Sequence, residues 1–268
     1  MVWRPLHPHH AIERVKVSLF FTEAAPTMVL SKAAEMFEGR KADLGFGVQT
    51  PLQGPMLSFQ VSPGQMQPIA MPSQLSGWQF ARLSSDGRPL ETVQLNGSEL
   101  TYEVSEYGGW TAFVERLRKV FGSIPEYLGT ILSRGVTVLE YADRFIFEGD
   151  PSSADVRGLL SNIVDQLPDE AASGRTLWHV HRGWFTKVGT DNVLVNINLS
   201  TQDGQLAEGA LLRSLETLTR VELRHPAGIG SVDVLYENFE ALHGVANSTL
   251  GSSISADARK LIGMEKSS

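Results

Sequence analysis

The order of elements along this chain repeats, and that recurrence constrains the fold more than any single motif. The run "LETVQL" at Leu90 to Leu95 has a counterpart in "LTRVEL" at Leu218 to Leu223. About 15 residues after each, a helix opens on a ladder with steps of three: Tyr107, Trp110 and Phe113 in the first half, Tyr236, Phe239 and Leu242 in the second. This predicts an α+β fold of two related units, residues 1–130 and 131–268, packed as one pseudo-symmetric domain or as two. Each unit would run strand, helix, several antiparallel strands and helix, with the helices on one face of a curved sheet.

Local patterns fill in that outline. Val15, Val17 and Leu19 alternate with Lys16 and Ser18, as in a half-buried strand. Pro26 then suits a helix start, with Met28, Leu30, Ala33, Ala34 and Phe37 on one face and Gly39 as the stop. Residues 45–76 are rich in Gly, Pro, Gln and Ser, with a strand signal at "MLSFQVS". "WQFARLSS", "LETVQL" and "LTYEVS" read as successive strands separated by "SDGRP" and "NGS", which carry turn formers. Trp110, Phe113, Val114, Leu117, Val120, Phe121 and Ile124 make an apolar helical stripe that Pro125 ends or kinks.

The second half starts with "VTVLEYADRFIF" as a strand. The spacing of Leu159, Leu160, Ile163, Val164 and Leu167 then predicts a helix capped by Ser152 or Ser153 and closed by Pro168. Strands follow at "TLWHVHRGWFTKV", "NVLVNINLS" and "LETLTRVELR", and a long helix from about Val234.

Composition narrows the function classes. A formal net charge of -7 gives no global attraction for nucleic acid or anionic membranes, and "RLRK" at Arg116 to Lys119 reads as a charged helix face. No cysteine means no disulfide, no thiol nucleophile and no cysteine-ligated metal. The start of the chain lacks the apolar core of a signal peptide and no run is long enough to span a membrane, so a cytoplasmic protein is expected. There is no phosphate loop, G-x-S-x-G elbow or H-E-x-x-H. "GIGSVD" at Gly228 to Asp233 has two of the three glycines of a dinucleotide fingerprint, in the wrong context.

With these landmarks placed, the chain resembles a sporadically distributed prokaryotic family of proteins of about this length with no assigned activity. The resemblance covers nearly the whole chain. It rests on "RPLHPHHAIERVKVSLFF", "GWQFARLSSDGRPLETVQLNGSELTYEVSEYGGWTAFVERL", "VTVLEYADRF" and "FEALHGVANSTLGSSISADARKLI". It implies a Tyr and a Trp just before an amphipathic helix, matched here by Tyr107 and Trp110. The family pattern continues with Arg-Tyr and then Asn or Asp on the next strand, where this chain has Glu140, Tyr141, Ala142 and Asp143.

The candidate sites are few. His179 and His181, two apart on a strand, share a face and could present paired imidazoles, with Trp184 nearby, to a ligand, partner or metal. The bland alternative puts them on a polar strand face with Trp178 and Val180 inward. "HPHH" at His7 to His10 reads as an extended arm that Trp3 docks. Tyr107 and Trp110 read as core packing, or as the lining of an aromatic pocket. Asp143 with Arg144 beside Tyr141, and Glu240 with His243, read as surface pairs. No catalytic residue, cofactor or metal site is assigned, so a non-enzymatic binding or interaction protein is expected, acting through a sheet surface or the cleft between units. The partner is a protein or small molecule, with self-association left open. The alternatives are a metal-dependent enzyme centred on His179 and His181, or an accessory component of a defence or toxin–antidote complex.

Overall fold

A computed structural model describes residues 2–62, 65–205, 211–225 and 231–264. Strand β1 (Val2–Pro5) is followed by β2 (Ile12–Phe21), α1 (Thr27–Lys41), β3 (Val48–Ser62), β4 (Gln65–Leu83), β5 (Pro89–Asn96), β6 (Glu99–Val104), α2 (Trp110–Phe121) and α3 (Ile124–Gly129). The second half contains β7 (Arg134–Glu148), α4 (Asp169–Ala172), β8 (His179–Val188), β9 (Asp191–Gln205), β10 (Leu211–Arg224), α5 (Val232–Ser253) and α6 (Ala256–Leu261).

All ten strands form one antiparallel sheet in the order β3-β4-β5-β6-β2-β7-β10-β9-β8, with β1 also paired to β7. The first long strands of the two halves, β2 and β7, pair at its centre with Lys16 opposite Glu140 and Val17 opposite Leu139. Outside them lie the last strands of each half, β6 beside β2 and β10 beside β7. The recurring run does not follow this order, because "LETVQL" is on β5, one strand removed from β2, whereas "LTRVEL" is on β10, directly beside β7.

Period-two alternation sends one set of side chains to the helices and the other to the open face. On β7, Leu139, Tyr141, Asp143, Phe145 and Phe147 point to the helix side, and the register places Val17, Val15, Val221, Thr219, Thr217 and Leu215 beside them. The opposite face carries ion pairs such as Arg14–Glu103 at 3.1 Å, Arg14–Glu140 at 3.5 Å and Arg220–Glu140 at 3.9 Å. Part-exposed pairs of this kind contribute about 0–1 kcal/mol each.

Helix α2 buries Phe113, Leu117, Val120 and Phe121. It ends at Gly122, whose φ of 52° lies in the left-handed region. Arg40 of α1 donates from Nη1 to the Lys119 carbonyl at 3.1 Å and from Nη2 to the Val120 carbonyl at 3.3 Å, which satisfies the open end of α2. Pro125 therefore sits at the start of a separate short helix, α3, instead of ending α2. In α1, Met28 is exposed and Val29 takes its place inward, and the helix runs through Gly39 to Lys41.

The helix expected over residues 151–167 is absent. Two 3₁₀ turns, Pro151–Ser153 and Val164–Gln166, stand there, and only the short α4 follows Pro168, so the second half lacks its first long helix. Asp150 accepts from the Ser152 amide, and Asp155 from the Arg157 amide, offering the backbone local partners. The segment also ties its amides and carbonyls to the α5–α6 junction through Ser161 N to Ser253 O and Ser255 N to Leu159 O. Leu159, Leu160 and Ile163 are buried as the pattern implied, but from turns.

Two apolar clusters lie beneath the helices. The larger joins β2, β4–β7, the lower parts of β9 and β10, α1, α2 and the first half of α5. The smaller gathers Trp3, Ala11, Phe145, Phe147, Leu159, Ile197, Leu215, Leu250 and Ile254. Between them, on β7 and β10, runs a polar seam of Asp143, Thr217 and Thr219, all buried. Helix α5 spans both clusters and passes over that seam.

Candidate functional site

A cavity of about 930 Å³ opens at the seam, lined by segments of both halves. The stretch before β2 supplies His9 to Ile12, the β6–α2 turn supplies Tyr107 to Trp110, β7 supplies Asp143, and α5 supplies His243, Asn247, Ser248 and Gly251. Ile262 and Met264 close the far side.

The N-terminal wall is a turn. β1 and β2 follow the same neighbour, β7, but the chain leaves it between them: Leu6 N donates to Arg144 O, Arg144 N to Ala11 O, and His7 N to His10 O. "HPHH" is thus folded back and not an extended arm, because a six-residue excursion must return to the same strand. Trp3 does anchor it, donating from its indole to the Asp155 carbonyl at 2.7 Å and lying 5.2 Å from the Phe147 ring. The pairing shifts register between Ile12 and Arg14, next to Asp143, and such bulges re-aim side chains.

The β6–α2 wall is aromatic. Gly109, with φ of 98°, makes the turn into α2. Trp110 is half-buried and stacks on His243 of α5, with ring centroids 4.0 Å apart and planes 7° apart. Its indole donates to Glu240 at 2.5 Å. The Glu240–His243 pair expected on the surface is therefore a docking point for Trp110, since one helical turn places both residues against the same indole. Tyr107 meets Tyr141 edge-on at 6.1 Å and His10 edge-on at 5.7 Å.

His243 is held at both nitrogens. The Tyr141 hydroxyl lies 2.8 Å from Nδ1, and Asn247 Nδ2 lies 3.0 Å from Nε2. An amide donor at Nε2 leaves the proton on Nδ1, so His243 donates to Tyr141. Burial lowers the His243 pKa and outweighs the opposing effect of Glu240, which keeps the ring neutral. Burial pushes Tyr107 up to about 12 and Tyr141 higher still, each with the other phenol as a neighbour. Burial lowers His10 as well, helped by His7.

Asp143 stands apart from these groups. It is fully buried, and neither carboxylate oxygen has a hydrogen-bond partner among the described residues. Its neighbours across the β7–β10 pair, Thr217 and Thr219, likewise have unpartnered hydroxyls. Burial alone pushes Asp143 up to about 7. The surface pair expected with Arg144 does not form, because consecutive strand residues face opposite ways. Arg144 is on the open face, 2.8 Å from Glu13 and 3.5 Å from Glu216.

His179, His181 and Trp184 lie on β8, which is hydrogen-bonded only to β9 and forms an edge of the sheet. The register places His179 and His181 opposite Ser200 and Asn198 on the polar face, and Trp184 opposite the buried Val195. The two imidazoles are exposed together, and Trp184 is on the other face, so the three do not converge. Trp178 and Val180 pack inward against the smaller core. No group of three His, Asp or Glu suited to holding a metal occurs among the described residues, and no helix there is long and apolar enough to cross a membrane. Gly228 to Gly230 of the "GIGSVD" run lie outside the described residues.

Sequence reasoning gave Asp143 little weight, yet a signal was present. Leu139, Tyr141, Phe145 and Phe147 share its parity, which puts a carboxylate on the apolar register of a strand. Compared with protein-family models and with curated proteins, the chain matches none.

Proposed function

We propose that this chain is a ligand-binding protein, not a catalyst, and that its ligand occupies the cavity between two related units. The observation that carries this reading is Asp143, a fully buried carboxyl with no hydrogen-bond partner among the described residues, at the wall of a roomy, largely apolar cavity. Buried polar groups are nearly always satisfied, so one that faces a cavity is a place for a ligand group or an ordered water. The surrounding groups favour binding over chemistry. His243 has both ring nitrogens engaged, and Tyr107 and Tyr141 are held protonated at neutral pH, so none of these three groups stands ready as a base. The order of strands around β2 and β7 supports the relation between the units, while the resemblance stated above speaks to fold only.

Ser248 offers a direct test, being exposed on α5 while lining the cavity. In a fragment screen by ligand-observed NMR, the wild-type chain binds a set of small molecules saturably, and Ser248→Trp, which fills the cavity from its rim, abolishes their binding. A screen with no hits, or hits indifferent to Ser248→Trp, overturns the reading.

A further inference from the structure

We infer that the cavity is built for a small organic cation with an apolar body, such as a primary amine, amidine or guanidine, whose charged end ion-pairs with Asp143. The inference rests on the binding reading above and names its ligand class. Neither Asp143 oxygen has a hydrogen-bond partner among the described residues, and an ionised carboxylate accepts only, so the complementary group is a donor with two or more hydrogens.

Among the described residues, no cation is hydrogen-bonded to Asp143. The titratable groups around Asp143 are His9 and His10 from the turn before β2, Tyr107 from the β6–α2 turn, Tyr141 on β7, His243 on α5 and Arg259 on α6. His10 and His243 are shifted toward the neutral form, and the phenols are neutral. Arg259 directs Nη1 to the Gly251 carbonyl at 2.8 Å and the Ile254 carbonyl at 3.3 Å, closing the end of α5. A buried carboxylate with no cation beside it is strongly disfavoured, and a cationic ligand repairs that defect while an anion makes it worse. An apolar part of the wall, formed by Ala11, Ile12, Leu250, Ile262 and Met264, suits a hydrocarbon or aromatic body. A net charge of -7 adds a weak long-range attraction for cations.

Calorimetric titration with phenethylamine and benzamidine, beside their neutral counterparts 2-phenylethanol and benzamide, tests the assignment. Wild type should bind the cations at least about tenfold more tightly than the neutral molecules, in line with a charge-assisted pair. Asp143→Asn should erase that preference. Because the cation needs the ionised carboxylate, its affinity should rise nearly tenfold from pH 6 to pH 8, about the change in the ionised fraction of a group titrating near 7. In Asp143→Asn the slope should vanish. Equal or better binding of the neutral pair, or a preference and pH slope that survive Asp143→Asn, overturns the cation assignment and leaves a cavity that binds ligands. Failure of all four probes and of the fragment screen overturns both.

Discussion

A carboxyl group inside a protein destabilises the fold whenever it must ionise there, and Asp143 is placed to do so near neutrality. Its folded-state pKa, pushed up to about 7, lies above the usual value of 3.8, so the native state holds the proton more tightly than the unfolded chain does. Below about pH 4 both states are protonated and no penalty exists. As pH rises from there toward 7 the unfolded chain releases its proton first and stability falls, reaching a loss on the order of a few kcal/mol above 7. Asp143→Asn keeps the shape and removes this cost. Chemical denaturation should therefore find the variant more stable than wild type at pH 8 and nearly equal at pH 4, and a variant less stable at pH 8 would mean that the ionised carboxylate is favourably held. Histidine works in the opposite sense: burial lowers His243, so its contribution is present above 6.5 and is lost as pH falls.

At the scale of elements, local chemistry decides where helices stop. Gly122 takes a left-handed backbone, and a β-carbon there would stand 2.1 Å from Arg40 Nη1. Gly122→Ala should cost about 2 kcal/mol, combining backbone strain with the loss of the arginine that caps α2, and urea melting would measure it. A change within 0.5 kcal/mol would show that Arg40 relocates without loss. The same scale explains which elements the sequence reveals. Alternation in β2, β5, β6 and β10, and the three-four spacing in α2 and α5, each bury a one-sided stripe, so pattern and structure agree. Over residues 151–167 the apolar residues pack just as tightly from turns, because aspartate side chains and the α5–α6 junction compete for the backbone. The site is half legible for a similar reason. Tyr107 and Trp110 are neighbours in sequence, whereas Asp143, His10 and His243 meet only through the sheet register and the path of α5.

The whole molecule is tied across its middle. Strand β2 pairs with β7 from Ile12 to Phe21, and α5 adds a second layer by stacking His243 on Trp110 and packing Tyr236 under Arg118 at 3.9 Å. Scanning calorimetry should show one transition with calorimetric and van't Hoff enthalpies in agreement, since neither half can unfold without uncovering the other. Two resolved transitions would show instead that the halves are thermodynamically separate.

The central position of β2 has a consequence for synthesis on the ribosome. Strands β3 to β6 can complete a five-stranded sheet with β2 while the remainder of the chain is still being made, but the partner for the other side of β2 comes only with Arg134–Glu148. Until that segment emerges, the backbone edge of Val15 to Phe21 is an open template for strands of other nascent chains. A pause in translation between α2 and β7 is thus the moment at which this protein is most exposed to misassembly.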